Sequence, residues 1–206
     1  MPIEPAADGS TGPRRDAPVG VVLAGGASRR LGFDKALVEI PLNGVEVSLP
    51  ALAAKRLAAV CAEVAVADRG RRLVPGLPSL PDGPGGGPAA GILGAAEAYP
   101  GRSLLVLACD LPRIPTSLLA ELTRHEGFDW VVPRWNDRLE PLCAFYGPAA
   151  LTALAGRVEQ GLLALHGLRE VASLAIGYLA EDQLARFGPP QEIFFNLNTP
   201  EDLEKC

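Results

Sequence analysis

Four stretches of this sequence carry residue types suited to handling phosphate and the groups attached to it. The first is Leu23-Ala24-Gly25-Gly26-Ala27-Ser28-Arg29-Arg30-Leu31-Gly32-Phe33-Asp34-Lys35-Ala36. Gly25 and Gly26 lack a Cβ, so the backbone can turn sharply and come close to a ligand. Successive N–H groups in such a loop form an anion-binding concavity. Arg29 adds a planar fork that meets two oxygens, and Lys35 adds a compact charge that can follow one phosphate as it reacts. The spacing matches neither GxxxxGK[ST] nor GxGxxG. By residue type alone it also fits a plain strand-to-helix turn.

The second stretch is Cys109-Asp110-Leu111-Pro112. Asp110 is either a turn or capping residue or a ligand for Mg²⁺, an ion that favours one or two carboxylates together with phosphate oxygens and water. The third runs from Asp82 to Gly87-Pro88-Ala89-Ala90-Gly91. Asp82 can accept hydrogen bonds, and Gly87 and Gly91 permit close approach; a connecting loop has the same composition. The fourth holds Asn196 and Asn198, two residues apart and so on one face of an extended segment. They suit either ligand binding or turn chemistry.

These groups need strands to hold them. Val19 to Ala24 is a short apolar run stopped by two glycines, the pattern of a buried parallel strand. Ser103 to Ala108 reads as a central strand running straight into Asp110. Further strands are expected at 63–67, 77–80, 129–133, 142–146 and 171–178. Helices are expected at 49–60, 88–98, 115–125 and 148–170, with a last one opened by Thr199 as N-cap. Strand and helix alternate, which predicts a three-layer α/β/α sandwich with a mostly parallel, Rossmann-like sheet. In such sheets ligands bind beyond the carboxyl ends of strands, where Gly25-Gly26 and Asp110 both fall. Residues 1–17 lack periodicity and are expected to form a disordered leader before a single domain spanning 18–206.

Composition narrows the function. The 206 residues carry 19 basic and 24 acidic side chains, a net charge of −5, which disfavours neutralising nucleic-acid phosphates. Arg71-Arg72 reads as a solvated loop. Cys61, Cys109, Cys143 and Cys206 are scattered without metal-ligand spacing, and only His125 and His166 could join them, so no zinc site is expected. The internal cysteines sit in apolar runs as small buried hydrophobes of a reducing compartment. There is no apolar run of membrane-spanning length and no secretory signal. A cytoplasmic protein is expected.

The first stretch closely resembles the LAGGxSxRMGxDKA signature of the molybdenum cofactor guanylyltransferases, with Leu31 in place of Met. Three further motifs follow in the family's order: a D…GPLAGI-like segment at Asp82 to Ile92, CDLP at Cys109, and FxNxNTPEDL at Phe195 to Leu203. Glu140-Pro141-Leu142 resembles a QPL-like strand that faces the acceptor, and the likeness covers residues 18–205. It is weakest at 155–168, where His166 reads as structural or surface.

The resemblance implies a nucleotidyltransferase moving GMP from GTP to the terminal phosphate of molybdopterin. Leu23, Ala24, Gly25, Gly26, Lys35, Asp82, Gly87 and Gly91 would hold the nucleotide, with Lys35, Arg29 and Asp110 catalytic and Asp110 on Mg²⁺. Asn196 and Asn198 would hold the acceptor. Partners would be GTP, molybdopterin or its molybdenum-bearing form, and transiently cofactor-biosynthesis proteins or target molybdoenzymes. The rivals are a CTP-dependent cytidylyltransferase of molybdopterin or a polyol phosphate, whose first glycine is alanine, and a non-catalytic cofactor-binding module.

Overall fold

The computed structural model describes residues 17–25, 35–42, 44–198 and 202, with the backbone alone at Lys35 and Leu42. The first strand, β1 (Val19–Leu23), is followed by a one-turn 3-10 helix (Lys35–Leu37) and by the hairpin β2 (Glu39–Leu42) and β3 (Val45–Ser48). Then come α1 (Leu49–Ala58), β4 (Val64–Ala67), β5 (Ser79–Leu80), α2 (Gly87–Ala98), β6 (Leu104–Ala108) and α3 (Thr116–Leu122). The last part comprises β7 (Trp130–Trp135), β8 (Arg138–Leu139), β9 (Cys143–Tyr146), α4 (Pro148–Glu159), β10 (Ile176–Leu179), α5 (Glu181–Leu184) and α6 (Pro190–Ile193).

The main sheet has the order β10-β7-β9-β6-β1-β4-β5, with β8 paired to β7. β1 is parallel to both β4 and β6, and β4 to β5. Only β9 runs against its neighbours β6 and β7 within that path. The expected mostly parallel α/β sheet is thus present, with one reversed strand inside it.

Alternation along the strands builds two cores. Val22, Leu105, Leu107, Val131 and Cys143 face the layer of α1 and α3, whereas Val19, Val21, Leu104, Val106, Trp130 and Tyr146 face α2 and α4. Successive side chains of a strand point to opposite faces, so a strand apolar at every position must be covered twice. α1 begins where Ser48 accepts a hydrogen bond from the Ala51 N–H at 3.4 Å, with Pro50 in the first turn. Burial also explains the internal cysteines. No disulfide joins Cys61, Cys109 and Cys143, all buried. Burial pushes the Cys61 thiol up to about 12 and the Cys143 thiol strongly upward, the latter helped by the charge of Glu140. The thiolate is the nucleophile, so iodoacetamide at pH 8 should leave Cys61 and Cys143 unmodified in the folded protein. Peptide mapping before and after unfolding checks this.

Several elements differ from the expected ones. The helix from Pro148 stops at Glu159, because the chain turns through Gly161 at φ +79°, and a separate 3-10 helix covers Leu165–Glu170. His166 is exposed there. The strand expected at 171–178 occupies only Ile176–Leu179. The β2–β3 hairpin lies in a stretch with no expected element. A two-residue turn at Asn136-Asp137, both at positive φ, joins β7 to β8 and lengthens the strand expected to end at Pro133. Positive φ at both central residues is the demand of a type I′ turn, which Asn and Asp tolerate. The expected helix opened by Thr199 lies outside the described residues.

Candidate active site

Because β1, β4, β5 and β6 are parallel, their carboxyl ends share one edge of the sheet, and the strand order lays out the side chains there in a row. Asp82 lies beyond β5, Asp68 to Arg71 beyond β4, Ala24 and Gly25 beyond β1, and Asp110 beyond β6. The reversed β9 brings Glu140 and Leu142 to the same edge, and β7 brings Trp135. Strands lie about 4.8 Å apart, so Asp82 and Asp110 are separated by roughly 14 Å along the row.

The end of β1 is tied in from both sides. The Ala24 N–H donates to the Ala67 carbonyl at 3.0 Å, and the Cys109 N–H donates to the Leu23 carbonyl at 3.1 Å. Arg71, in the exposed loop that the sequence predicts, also donates through Nη2 to the Ala24 carbonyl at 2.7 Å and through Nε to the Asp68 carbonyl at 3.1 Å. Asp68 is fully buried. It accepts from the Leu73 N–H at 2.8 Å and from the Ser79 hydroxyl, which closes the loop over which Arg71 reaches. Asp68 and Arg71 are therefore structural members of this site that sequence reasoning missed. The rule that singled out Asp110, an acid ending a buried strand, applies equally to Asp68.

Gly25 leaves its Cβ position within 3.5 Å of the Ala67 carbonyl oxygen and of Arg69 Nε. Gly91 brings α2 against β1, since a Cβ there would meet Leu23 Cδ2 at 3.1 Å. Gly87 opens α2 at φ +61°, with open space around its Cβ position. The loop carrying Asp82 is pinned to α2: the Gly83 N–H donates to the Ala90 carbonyl at 2.8 Å, and a Cβ on Gly94 would stand 2.2 Å from the Pro81 carbonyl oxygen. Backbone rather than a flexible side chain blocks that space. Gly94→Ala should thus cost about 1–3 kcal/mol, as overpacking does. For a chain of this size that lowers Tm by roughly 2–4 °C per kcal/mol, checked by calorimetry. The Asp82 loop should be displaced with it.

On the other side of Asp110 the chain's end returns to the edge. The Leu197 N–H donates to the Asp110 carbonyl at 2.9 Å, which sets Asn196 and Asn198 next to the half-buried Asp110. The Arg113 guanidinium lies 4.5 Å over the Phe195 ring. The Asn196 Oδ1 is buried and has no hydrogen-bond partner among the described residues. The Asn198 N–H donates to Asp202 Oδ2 at 3.0 Å. Trp135 stacks on Phe194 with ring centroids 6.2 Å apart, and its Nε1–H donates to Glu140 Oε1 at 3.0 Å. Burial holds the Glu140 carboxyl above its ordinary range, against the pull of Trp135 and Arg138. Trp135 and Phe194 had no sequence signal of their own beyond the Asn136-Asp137 turn that places the first.

The structure thus brings Leu23, Ala24, Gly25, Asp82, Gly87, Gly91, Asp110, Asn196 and Asn198 to one edge. Gly26, Arg29 and the side chain of Lys35 lie outside the described residues. Among the described residues no group of three or more His, Cys, Asp or Glu side chains forms a metal cage. A lone carboxylate such as Asp110 suits an ion that takes the rest of its oxygens from a ligand's phosphates and from water, as Mg²⁺ does.

A mostly parallel α/β sheet with a glycine ending its first strand, a strand-end carboxylate and an amide oxygen without a partner among the described residues along one edge fits a nucleotide-handling enzyme of the nucleotidyltransferase class. Residues 20–175 match the MobA-like NTP transferase domain family. A protein of Pelotomaculum thermopropionicum named probable molybdenum cofactor guanylyltransferase is 35% identical over 192 residues, 91% of this chain and 90% of that one. The Rhodobacter capsulatus molybdenum cofactor guanylyltransferase is 34% identical, covering 91% and 93%. Among solved structures, the molybdopterin-guanine dinucleotide biosynthesis protein A of Archaeoglobus fulgidus superposes with a TM-score of 0.75 at 26% identity, covering 91% of this chain and 95% of that one. The chain belongs to the MobA-like NTP transferase domain family, and it is a nucleotidyltransferase.

Proposed function

We propose that the protein transfers GMP from GTP to the terminal phosphate of molybdopterin, giving the guanine dinucleotide form of the cofactor and pyrophosphate. The observation that carries this reading is the row of groups on the sheet edge, in which Gly25 and Asp110 lie between a base-side acid, Asp82, and an acceptor-side amide, Asn196. The names of the relatives support it.

In the reaction, an oxygen of the acceptor's terminal phosphate attacks the α-phosphorus of GTP in line. A new P–O–P bond forms, the bond from the α-phosphorus to the bridging oxygen breaks, and pyrophosphate leaves with the electron pair. The attacking phosphate is already an anion at neutral pH, so no strong base is needed, and the protein's work is positioning and charge stabilisation. The Leu23-Ala24-Gly25-Gly26 backbone cradles the phosphates, with Gly87 and Gly91 letting the base-side loop and α2 come close. Lys35 neutralises charge growing on the α-phosphate, and Arg29 holds the departing pyrophosphate. Asp110 is the residue that would hold Mg²⁺, which when bound supplies Lewis acidity and a template for phosphate oxygens. The buried Asn196 Oδ1 has an unmet capacity to accept, which a ring N–H of a pterin satisfies, and Asn198 lines the same side.

A single domain over 18–206 carries this chemistry in the cytoplasm, with GTP and molybdopterin as partners and transient contacts to cofactor-handling proteins. Among the described residues no helix is long and apolar enough to cross a membrane. The test is pyrophosphate release with Mg²⁺ and each of GTP, CTP and ATP, with and without molybdopterin. Release with GTP only when the pterin is present is the expected result. Release with CTP instead moves the enzyme to the cytidylyl branch, and nucleotide binding without any release makes it a cofactor-binding module.

A further inference from the structure

Beyond β4 the chain enters the left-handed region at a residue that is not glycine: Arg69 has φ +63°. For an L-residue with a long side chain this conformation is costly and persists only when the surroundings impose it. Among the described residues, its side chain makes one ion pair, Arg69 Nε to Asp82 Oδ2 at 2.7 Å, with the two side chains 45% and 29% exposed. An ion pair that open to water stabilises little and does not by itself offset the backbone strain. Its placement is the telling feature. Arg69 Nε and Cγ lie 3.5 and 3.6 Å from the Cβ position of Gly25, so the guanidinium stands between Gly25 and the Asp82 carboxylate. Both of its neighbours are nucleotide-side positions, and Arg69 itself belongs to neither motif.

We infer that Arg69 and Asp82 form one base-reading pair, with Arg69 as a specificity-determining residue for guanine. The inference rests on the guanylyl-transfer reading above. A carboxylate beside a guanidinium presents acceptors next to donors. Guanine is the base whose edge answers both, with N1–H and N2–H donors beside the O6 acceptor. Asp82 accepts from N1 and N2, and Arg69 donates to O6 while its Nε holds the carboxylate in place. Arginine suits this because its planar fork bonds two groups in one plane, as it does when it reads guanine elsewhere. Adenine and cytosine place a ring-nitrogen lone pair where guanine has N1–H, so the carboxylate repels them. A site built to bond a polar group disfavours the analogue lacking it, because the donors and acceptors of the pair then go without that bond.

The experiment compares kcat/KM for GTP, ITP, ATP and CTP in pyrophosphate release with molybdopterin as acceptor. The wild-type chain is measured against Arg69→Asn, with melting curves alongside. Asn removes the guanidinium yet tolerates the left-handed backbone, so the fold should be kept. Arg69→Asn is expected to lower kcat/KM by ~10- to 100-fold for GTP and ITP, which share O6, with the loss carried in KM, and to leave ATP and CTP nearly unchanged. In the wild type, ITP lacks the N2 amino group and should trail GTP by ~10-fold or more. An equal loss for all four triphosphates in the variant overturns the base contact, as does unchanged use of GTP. Equal use of GTP and ITP by the wild type removes Asp82 from the base and overturns the pair. Failure of the underlying reading shows separately: the wild type would then use CTP, or release no pyrophosphate at all.

Discussion

Lys35→Ala should lower kcat/KM for GTP by a factor of about 10²–10³, which corresponds to about 2.7–4 kcal/mol of lost transition-state stabilisation. The reasoning follows where charge develops. As the acceptor phosphate closes on the α-phosphorus, negative charge accumulates on the non-bridging oxygens, and an ammonium placed there would offset it. The Lys35 backbone begins the 3-10 helix Lys35–Leu37, directly before the β2–β3 hairpin and α1. Because the loss is one of transition-state stabilisation, it should appear mainly in kcat rather than in KM for GTP. Single-turnover kinetics checks it. Near-normal turnover in the variant would remove Lys35 from the reaction.

Asp110→Asn should raise the Mg²⁺ concentration needed for half-maximal turnover. Altering even an outer partner of a bound metal costs roughly 10- to 100-fold in affinity or activity, and loss of the carboxylate itself should cost at least as much. The substitution is nearly isosteric, and the hydrogen bond that docks the chain's end uses the Asp110 backbone carbonyl, accepting from the Leu197 N–H. The melting temperature should therefore hold while the metal dependence changes. Activity titrated against Mg²⁺, with calorimetry as control, separates the two. An unchanged metal requirement would take Asp110 out of the metal site.

Much of the site was legible because it is local. A β-branched apolar run ended by Gly25 declares a buried strand, and the run from Leu104 to Ala108 delivers Asp110 in the same way. Burial and alternation follow from side-chain type, so the two-sided core around Val21, Val22, Leu104 and Leu105 could be expected from composition. Helix ends were less legible. The apolar spacing from Pro148 to Glu170 runs past the local stop at Gly161, where a positive φ lets the Gly161 N–H donate to the Val158 carbonyl and the Leu162 N–H to the Arg157 carbonyl.

What the amino-acid sequence determined by itself is the set of local devices: which runs become strands, where glycine frees the backbone, and which acid or amide stands at each end. Only the tertiary structure decided which of those ends meet. Arg71 reaches the Ala24 carbonyl across 47 positions, and Arg69 finds Asp82 across 13. Asn196 arrives beside Asp110 because Leu197 bonds to it from the far end of the chain. The reversal of β9, which puts Glu140 and Leu142 on the same edge as Asp110, has no local signature either. These contacts depend on strand order and on closing long loops, whose entropy is repaid only by the assembled core. Propensity and periodicity act over a few residues, so they specify the parts of the edge, and the packed sheet alone sets their sequence along it.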